Sequence, residues 1–146
     1  MITELGNALR EILAAFGIEV AHLKMSYSDL HQVEGILCIV TGLVENHGER
    51  KGIVSLEFDE AAASFLLGIM IGDPEGISSE MGLSALSELS TMVCGSFLTR
   101  LNVALMATPP TGVVGKRVQG ILNTMPAQKI FLPLGGGTLA AGLSIS

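Results

Sequence analysis

Residues 79–105 read SEMGLSALSELSTMVCGSFLTRLNVAL, and the organisation of the chain follows from this stretch. Ser78 or Ser79 is placed to cap a helix, because a serine side chain can accept from the free N–H groups of the first turn. Glu80 puts an acid where the helix dipole favours one. Leu83, Leu86, Leu89, Val93, Phe97, Leu98 and Leu101 recur at helical spacing and form a stripe for a core. The pattern predicts a helix running to about Leu105. A second stripe, Ser84, Glu88, Thr91 and Gly95, is spaced i, i+4, i+7, i+11 and lies to one side of the first. It carries a single carboxylate among hydroxyls and a glycine. Such a face suits a helix that lies against a charged site on another protein. From spacing alone, an ordinary solvated glutamate is the default reading.

Upstream, Ile36–Val44 is rich in β-branched residues and Gly52–Phe58 alternates, with Val54, Leu56 and Phe58 on one side. The turn residues 45–49 between them predict a hairpin. Asp59 is placed to cap a helix through Ile71. At the N-terminus, Ile2, Leu5, Leu9, Ile12, Leu13 and Phe16 predict a helix stopped by Gly17. Residues 18–25 read as a strand and residues 26–32 as a loop. Downstream, Pro109 and Pro110 exclude a helix. Residues 115–127 are weakly patterned, and 128–134 and 138–145 read as strands joined by Gly135-Gly136-Gly137 in a hairpin turn. The order of elements predicts an α+β fold of one domain over residues 1–146: an antiparallel β-sheet packed with two or three helices on one face.

Composition narrows the function. The chain has 146 residues, 49% of them apolar and only 15% charged, and a mean hydropathy of +0.57. That apolar excess points to surface covered by a partner subunit or target. A net charge of −6, with no Lys/Arg stripe, argues against nucleic acid as a partner. The most apolar run, 61–72, is shorter than the roughly 20 residues a bilayer span needs. The first residues lack the pattern of a signal peptide. No membrane insertion and a cytoplasmic location are therefore expected. Cys38 and Cys94 sit in apolar surroundings and read as buried thiols.

Most chemical motifs are absent. His22, His31 and His47 have no metal-ligand spacing and read as surface or loop histidines. There is no G-x-S-x-G elbow. The three glycines at 135–137 do not open a helix and lack a phosphate-loop pattern. Asp73, Glu75 and Glu80 lack calcium-loop spacing.

The long helix and its surroundings resemble the CheX/CheC/FliY chemotaxis phosphatases, most closely the single-site CheX type. The family pattern is Asp or Ser, three residues, Glu, two residues, Asn, with a proline further on. Ser84 and Glu88 match the first two positions, and 92–95 resembles the apolar, small-residue continuation. Residues 109–115 (PPTGVVG) resemble the proline segment. Thr41-Gly42, the strand 52–58 and the helix end 69–72 also fit. The resemblance extends from about residue 33 to the end of the chain and rests on the order of these motifs. At one position the chain departs: Thr91 stands where the family has asparagine.

The resemblance implies a CheX-like fold and a partner, a phosphorylated CheY-type response regulator whose aspartyl phosphate the domain hydrolyses. It implies that Glu88 contacts the regulator's lysine and that Thr91 occupies the water-orienting position. Ser84, Gly95, Pro109 and Pro110 would complete the contact surface. The domain would need no cofactor of its own, with magnesium held by the regulator, and a homodimer paired through sheet edges is expected. The alternative is a degenerate, non-catalytic member that only binds a receiver or a flagellar-switch-like protein. A small-molecule-binding dimer has only the apolar composition to support it.

Overall fold

The structure is a computed structural model that describes residues 1–146. Helix α1 spans Ile2–Ala15. Strands β1 (Lys24–Ser28), β2 (His31–Glu45) and β3 (Lys51–Phe58) follow. Helix α2 spans Glu60–Met70, and Asp59 caps it by accepting from the Ala62 N–H at 2.9 Å. A 3-10 turn, Gly76–Ser78, leads into α3, Glu80–Leu101. Strands β4 (Leu105–Ala107), β5 (Thr111–Asn123), β6 (Ala127–Leu134) and β7 (Gly137–Ile145) complete the chain.

All strand pairs are antiparallel. The sheet runs β1-β6-β7-β3-β2-β4, with β5 also paired to β2. The alternation in β3 decides which face meets the helices. Val54, Leu56 and Phe58 are fully buried and join Leu5, Leu9, Leu66, Leu86, Val93 and Phe97 in one core. This is the α+β arrangement that the order of elements predicts: a seven-stranded antiparallel sheet with three helices against one face. The β6–β7 hairpin closes as expected, with Gly135 and Gly136 at φ +57° and +84°, backbone that a side chain would strain.

The α3 helix begins as its sequence predicts and ends sooner. Ser79 accepts from the Gly82 N–H at 3.0 Å. Asn102 then takes a left-handed conformation, φ 51°, that stops the helix at Leu101. The chain is extended again by Leu105, which pairs with Glu45 at the sheet edge. By length and composition α3 is apolar enough to cross a bilayer. A helix laid across a sheet passes the same test, and Leu86, Leu89, Val93 and Phe97 are fully buried here.

Two strands depart from expectation for one physical reason. Residues 18–23 form no strand, and β1 begins at Lys24, running through residues that read as a loop. The weakly patterned 115–127 region is largely the thirteen-residue β5. Both strands are mostly exposed on both faces, so neither carries the alternation that betrays a strand with one side in a core.

The first residues of β2 extend past β3 and pair only with β5. A register shift at Gly35/Leu37 bends this ribbon. Gly35 lets it pass close to β3, because a Cβ there would lie 2.7 Å from the Phe58 carbonyl oxygen. The ribbon thereby lies over the sheet face opposite the helices, where His31 reaches Ser55 of β3 and Ser144 of β7.

Candidate functional site

The apolar stripe of α3 turns into the core, and that orientation fixes where the polar stripe points. Ser84, Glu88, Thr91 and Gly95 are all exposed along one face. Glu88 forms no ion pair within the chain; the three ion pairs are Arg100–Glu11, Arg117–Glu34 and Lys129–Glu57. The Thr91 hydroxyl donates to the Ser87 carbonyl one turn back, at 3.2 Å. Its proton is thus committed to the helix, and its lone pairs are free toward solvent. A Cβ at Gly95 would meet nothing within 4 Å, so a partner backbone can come close there.

Tertiary structure supports this face from beneath and from both flanks. Below it, Thr41 of β2 and Ser90 of α3 are buried and share a hydrogen bond at 3.3 Å. Cys94 is buried beside them, and burial pushes its thiol up to about 11. On the α1 side, Ser96 donates to Glu11 at 2.8 Å, and Arg100 pairs with the same carboxylate at 2.6 Å. The Arg100 hydrogen bond, helped by Ser96, holds the Glu11 carboxyl below its usual range. On the other side, the exposed Pro109 and half-buried Pro110 link β4 to β5. The start of β5 then approaches α3 at Ser87, where a Cβ on Gly112 would lie 3.8 Å from the Ser87 Oγ. The fold therefore gathers Ser84, Glu88, Thr91 and Gly95 into one surface and brings the strand after the proline segment to its edge.

One neighbour of the stripe, Met81, is not singled out by number in the sequence, although methionines near helix ends are candidates for an interface. A shallow depression at the N-terminal half of α3 is lined by Ile71, Glu80, Met81, Ser84, Ala85 and Glu88. Met81 is 68% exposed. A signal was present, since 81, 84 and 88 are spaced i, i+3, i+7. An apolar residue in that pattern reads as core filler until the position of the sheet is known.

The opposite face holds a second polar cluster, and it corrects the expectation that all three histidines are surface or loop residues. His31 is fully buried. Its Nδ1 lies 2.7 Å from the Ser144 Oγ and its Nε2 lies 2.8 Å from the Ser55 Oγ. Asn123 Nδ2 donates to the same Ser144 Oγ at 2.9 Å. Burial, reinforced by the charge of Lys129, lowers the His31 pKa to about 4. Nearby, the Lys129 Nζ lies 2.9 Å from Glu57 Oε1 and 2.7 Å from Oε2. Oε1 also accepts from the Glu34 N–H, whereas the contact to Oε2 is an ion pair without good hydrogen-bond direction. Burial pushes the Glu57 carboxyl up, against the opposing pull of Lys129. Cys38, buried close by, is raised to about 11 for the same reason.

Neither cluster is arranged as a metal centre, and no group of three or more His, Cys, Asp or Glu side chains is placed to hold an ion. The His31 group resembles a Ser–His pair only in composition. The imidazole is enclosed, both ring nitrogens are occupied, and no acid orients it. A cleft of about 670 Å³ between β1/β6 and the β2–β5 ribbon is lined by Ser26, Gln32, Glu34, Gln119 and Lys129 among others, away from the α3 face.

The profile of the family described as Chemotaxis phosphatase CheX matches residues 40–129. No curated relative matches the sequence. Among solved structures, a putative chemotaxis protein from Desulfovibrio vulgaris Hildenborough superposes with a TM-score of 0.84 at 17% identity, covering 99% of this chain and 96% of that one. A chemotaxis protein CheX from Desulfovibrio desulfuricans gives 0.82 at 16% identity, covering 99% and 97%. CheX in a complex with CheY, beryllium trifluoride and magnesium, from Borrelia burgdorferi, gives 0.73 at 18% identity, covering 99% and 96%.

Proposed function

Because the chain belongs to the CheX family of chemotaxis phosphatases, we propose that it docks the exposed face of α3 onto a phosphorylated CheY-type receiver and promotes hydrolysis of its aspartyl phosphate. The observation that carries this reading is the presentation of an unpaired Glu88 beside Thr91 on a helix whose opposite face is locked into the core. A solved CheX–CheY complex containing beryllium trifluoride, a stand-in for a phosphoryl group, supports the choice of partner. Glu88 pairs with a fixed cation of the receiver, and exclusion of solvent at the contact strengthens that pair. The reaction adds water to phosphorus and breaks the bond to the aspartyl oxygen, releasing inorganic phosphate and a carboxylate. Thr91 Oγ1, its own proton held by the Ser87 carbonyl, accepts a hydrogen bond from the attacking water and orients it. Magnesium, held by the receiver, supplies charge neutralisation at the phosphoryl group.

Thr91 also sets the limit of this activity. A threonine hydroxyl lies closer to the backbone than an asparagine amide and reaches less far. Misplacement of about 1 Å in an attack geometry costs roughly a hundredfold. The same observation favours the second reading, in which the chain binds the receiver without hydrolysing it. Phosphate release from a phosphorylated CheY-type receiver separates the two. The catalytic reading expects wild type to exceed receiver alone, Thr91→Val to remove the excess, and Thr91→Asn to raise it. Tight binding with no rate gain for wild type or Thr91→Asn selects the binding-only reading.

The long β5 supports a homodimer. It pairs only with β2, and Val113, Val114 and Ile121 are exposed along it. A strand with a free edge and apolar side chains is a template for a second copy. Sedimentation at micromolar concentration checks this, and a monomer there overturns it. A cytoplasmic location is part of the same proposal, because that is where a CheY-type receiver would be met.

A further inference from the structure

The depression beside Glu88 has chemistry of its own. Ile71, Met81 and Ala85 give it an apolar floor, and Glu80, Ser84 and Glu88 form its polar rim. Every charged group lining it is acidic. Met81 is the most exposed large apolar side chain of the molecule, at 68%. It sits in the first turn of α3, held by the Ser79 cap, so its backbone is fixed while its unbranched side chain stays adaptable. An exposed methionine continuous with a carboxylate on a rigid helix has the composition of an interface core with its polar margin.

We infer that Met81, with Ile71 and Ala85, is the apolar anchor site for the receiver: it accepts an apolar side chain that lies beside the cation met by Glu88. This rests on the docking reading above and deepens it. The occupant follows from two features. The depression is continuous with the Glu88 face, since Glu88 lines both. Its acidic rim, with no basic residue, matches a partner that presents a positive charge next to an apolar group. Thr91 lies on the far side of Glu88 from Met81, two helical turns and more along α3, so anchoring and water orientation are separated on the helix. Met81 therefore sets affinity, and through it the choice among receivers, without contacting the phosphoryl group.

The test titrates the full chain with a CheY-type receiver loaded with beryllium trifluoride and magnesium, and measures phosphate release with the phosphorylated receiver. Met81→Ala is expected to weaken binding by about tenfold and to raise KM with little change in the rate at saturation. Met81→Leu restores most of the affinity, and Met81→Asp removes more than Met81→Ala. Met25→Ala, which removes a methionine 62% exposed on β1, leaves binding unchanged. Wild-type affinity in Met81→Ala and Met81→Asp, with weakened binding in Glu88→Ala, overturns the anchor and leaves the docking face standing. Absence of receiver binding by the wild-type chain overturns both.

Discussion

Glu57 and Glu88 are both acids on regular elements that also supply the core, yet the fold treats them in opposite ways. Glu57 is 5% exposed, clasped by Lys129, and accepts from the Glu34 N–H. Glu88 is exposed and makes no ion pair in the chain. A buried acid whose partners are supplied internally holds the structure together. An exposed acid on a rigid helix, with no internal partner, is available to another molecule. The same contrast separates the two polar clusters around them. His31, Ser55, Ser144 and Asn123 satisfy one another behind the sheet, whereas the lone pairs of Thr91 remain open in front of α3.

The sharpest way to break this comparison is to remove one member of the enclosed pair. Lys129→Ala leaves the Glu57 carboxylate buried without its cation, and a loss of about 3–5 kcal/mol is expected in denaturant melts. Loss of less than about 1 kcal/mol would show that the pair is not structural.

The histidine cluster offers the next largest effect. His31 titrates at about 4 in the folded protein and near 6.5 when unfolded. Between these values the unfolded chain binds more protons, so the histidine's contribution is complete above about pH 6.5 and is lost as pH falls toward 4. The full effect is on the order of 3 kcal/mol. The raised Glu57 pKa acts in the opposite sense, because stability from a carboxyl favoured in its protonated form is lost as pH rises. The difference between wild type and His31→Gln across pH 4–7 isolates the histidine. An identical pH slope in the two proteins would remove His31 from this account.

On the exposed face the order of effects reverses between stability and function. Glu88→Ala is expected to shift the melt by no more than about 0.5 kcal/mol and to weaken receiver binding by about tenfold. A large stability loss would mean that Glu88 is part of the fold. The smallest expected effect is the most diagnostic. Gly95→Ala meets no steric obstacle and replaces a helix-interior glycine, so it stabilises by about 0.5–1 kcal/mol. If a partner approaches this point closely, the same change weakens binding while raising Tm. A gain in both would show that Gly95 lies outside the contact.

Much of this was legible in the chain. The spacing of Leu86, Leu89, Val93 and Phe97 fixed the buried face of α3, and with it the side on which Ser84, Glu88, Thr91 and Gly95 emerge. Alternation in β3 and the cap at Asp59 placed the hairpin and α2, because each pattern reports a local contrast between core and solvent. β1 and β5 show no such contrast, since neither has a face in the core. The burial of His31 depends on contacts between residues 24 and 113 positions apart, and no local pattern encodes where a bent ribbon will land. Met81 is the same lesson reversed, an apolar residue that the fold leaves outside. The sequence by itself determined the periodic elements and the polar face of α3, because periodicity is a property of neighbours along the chain. Only the tertiary structure decided which acid is consumed by an internal partner and which stays exposed and unpaired, because that choice rests on the long-range packing of the sheet.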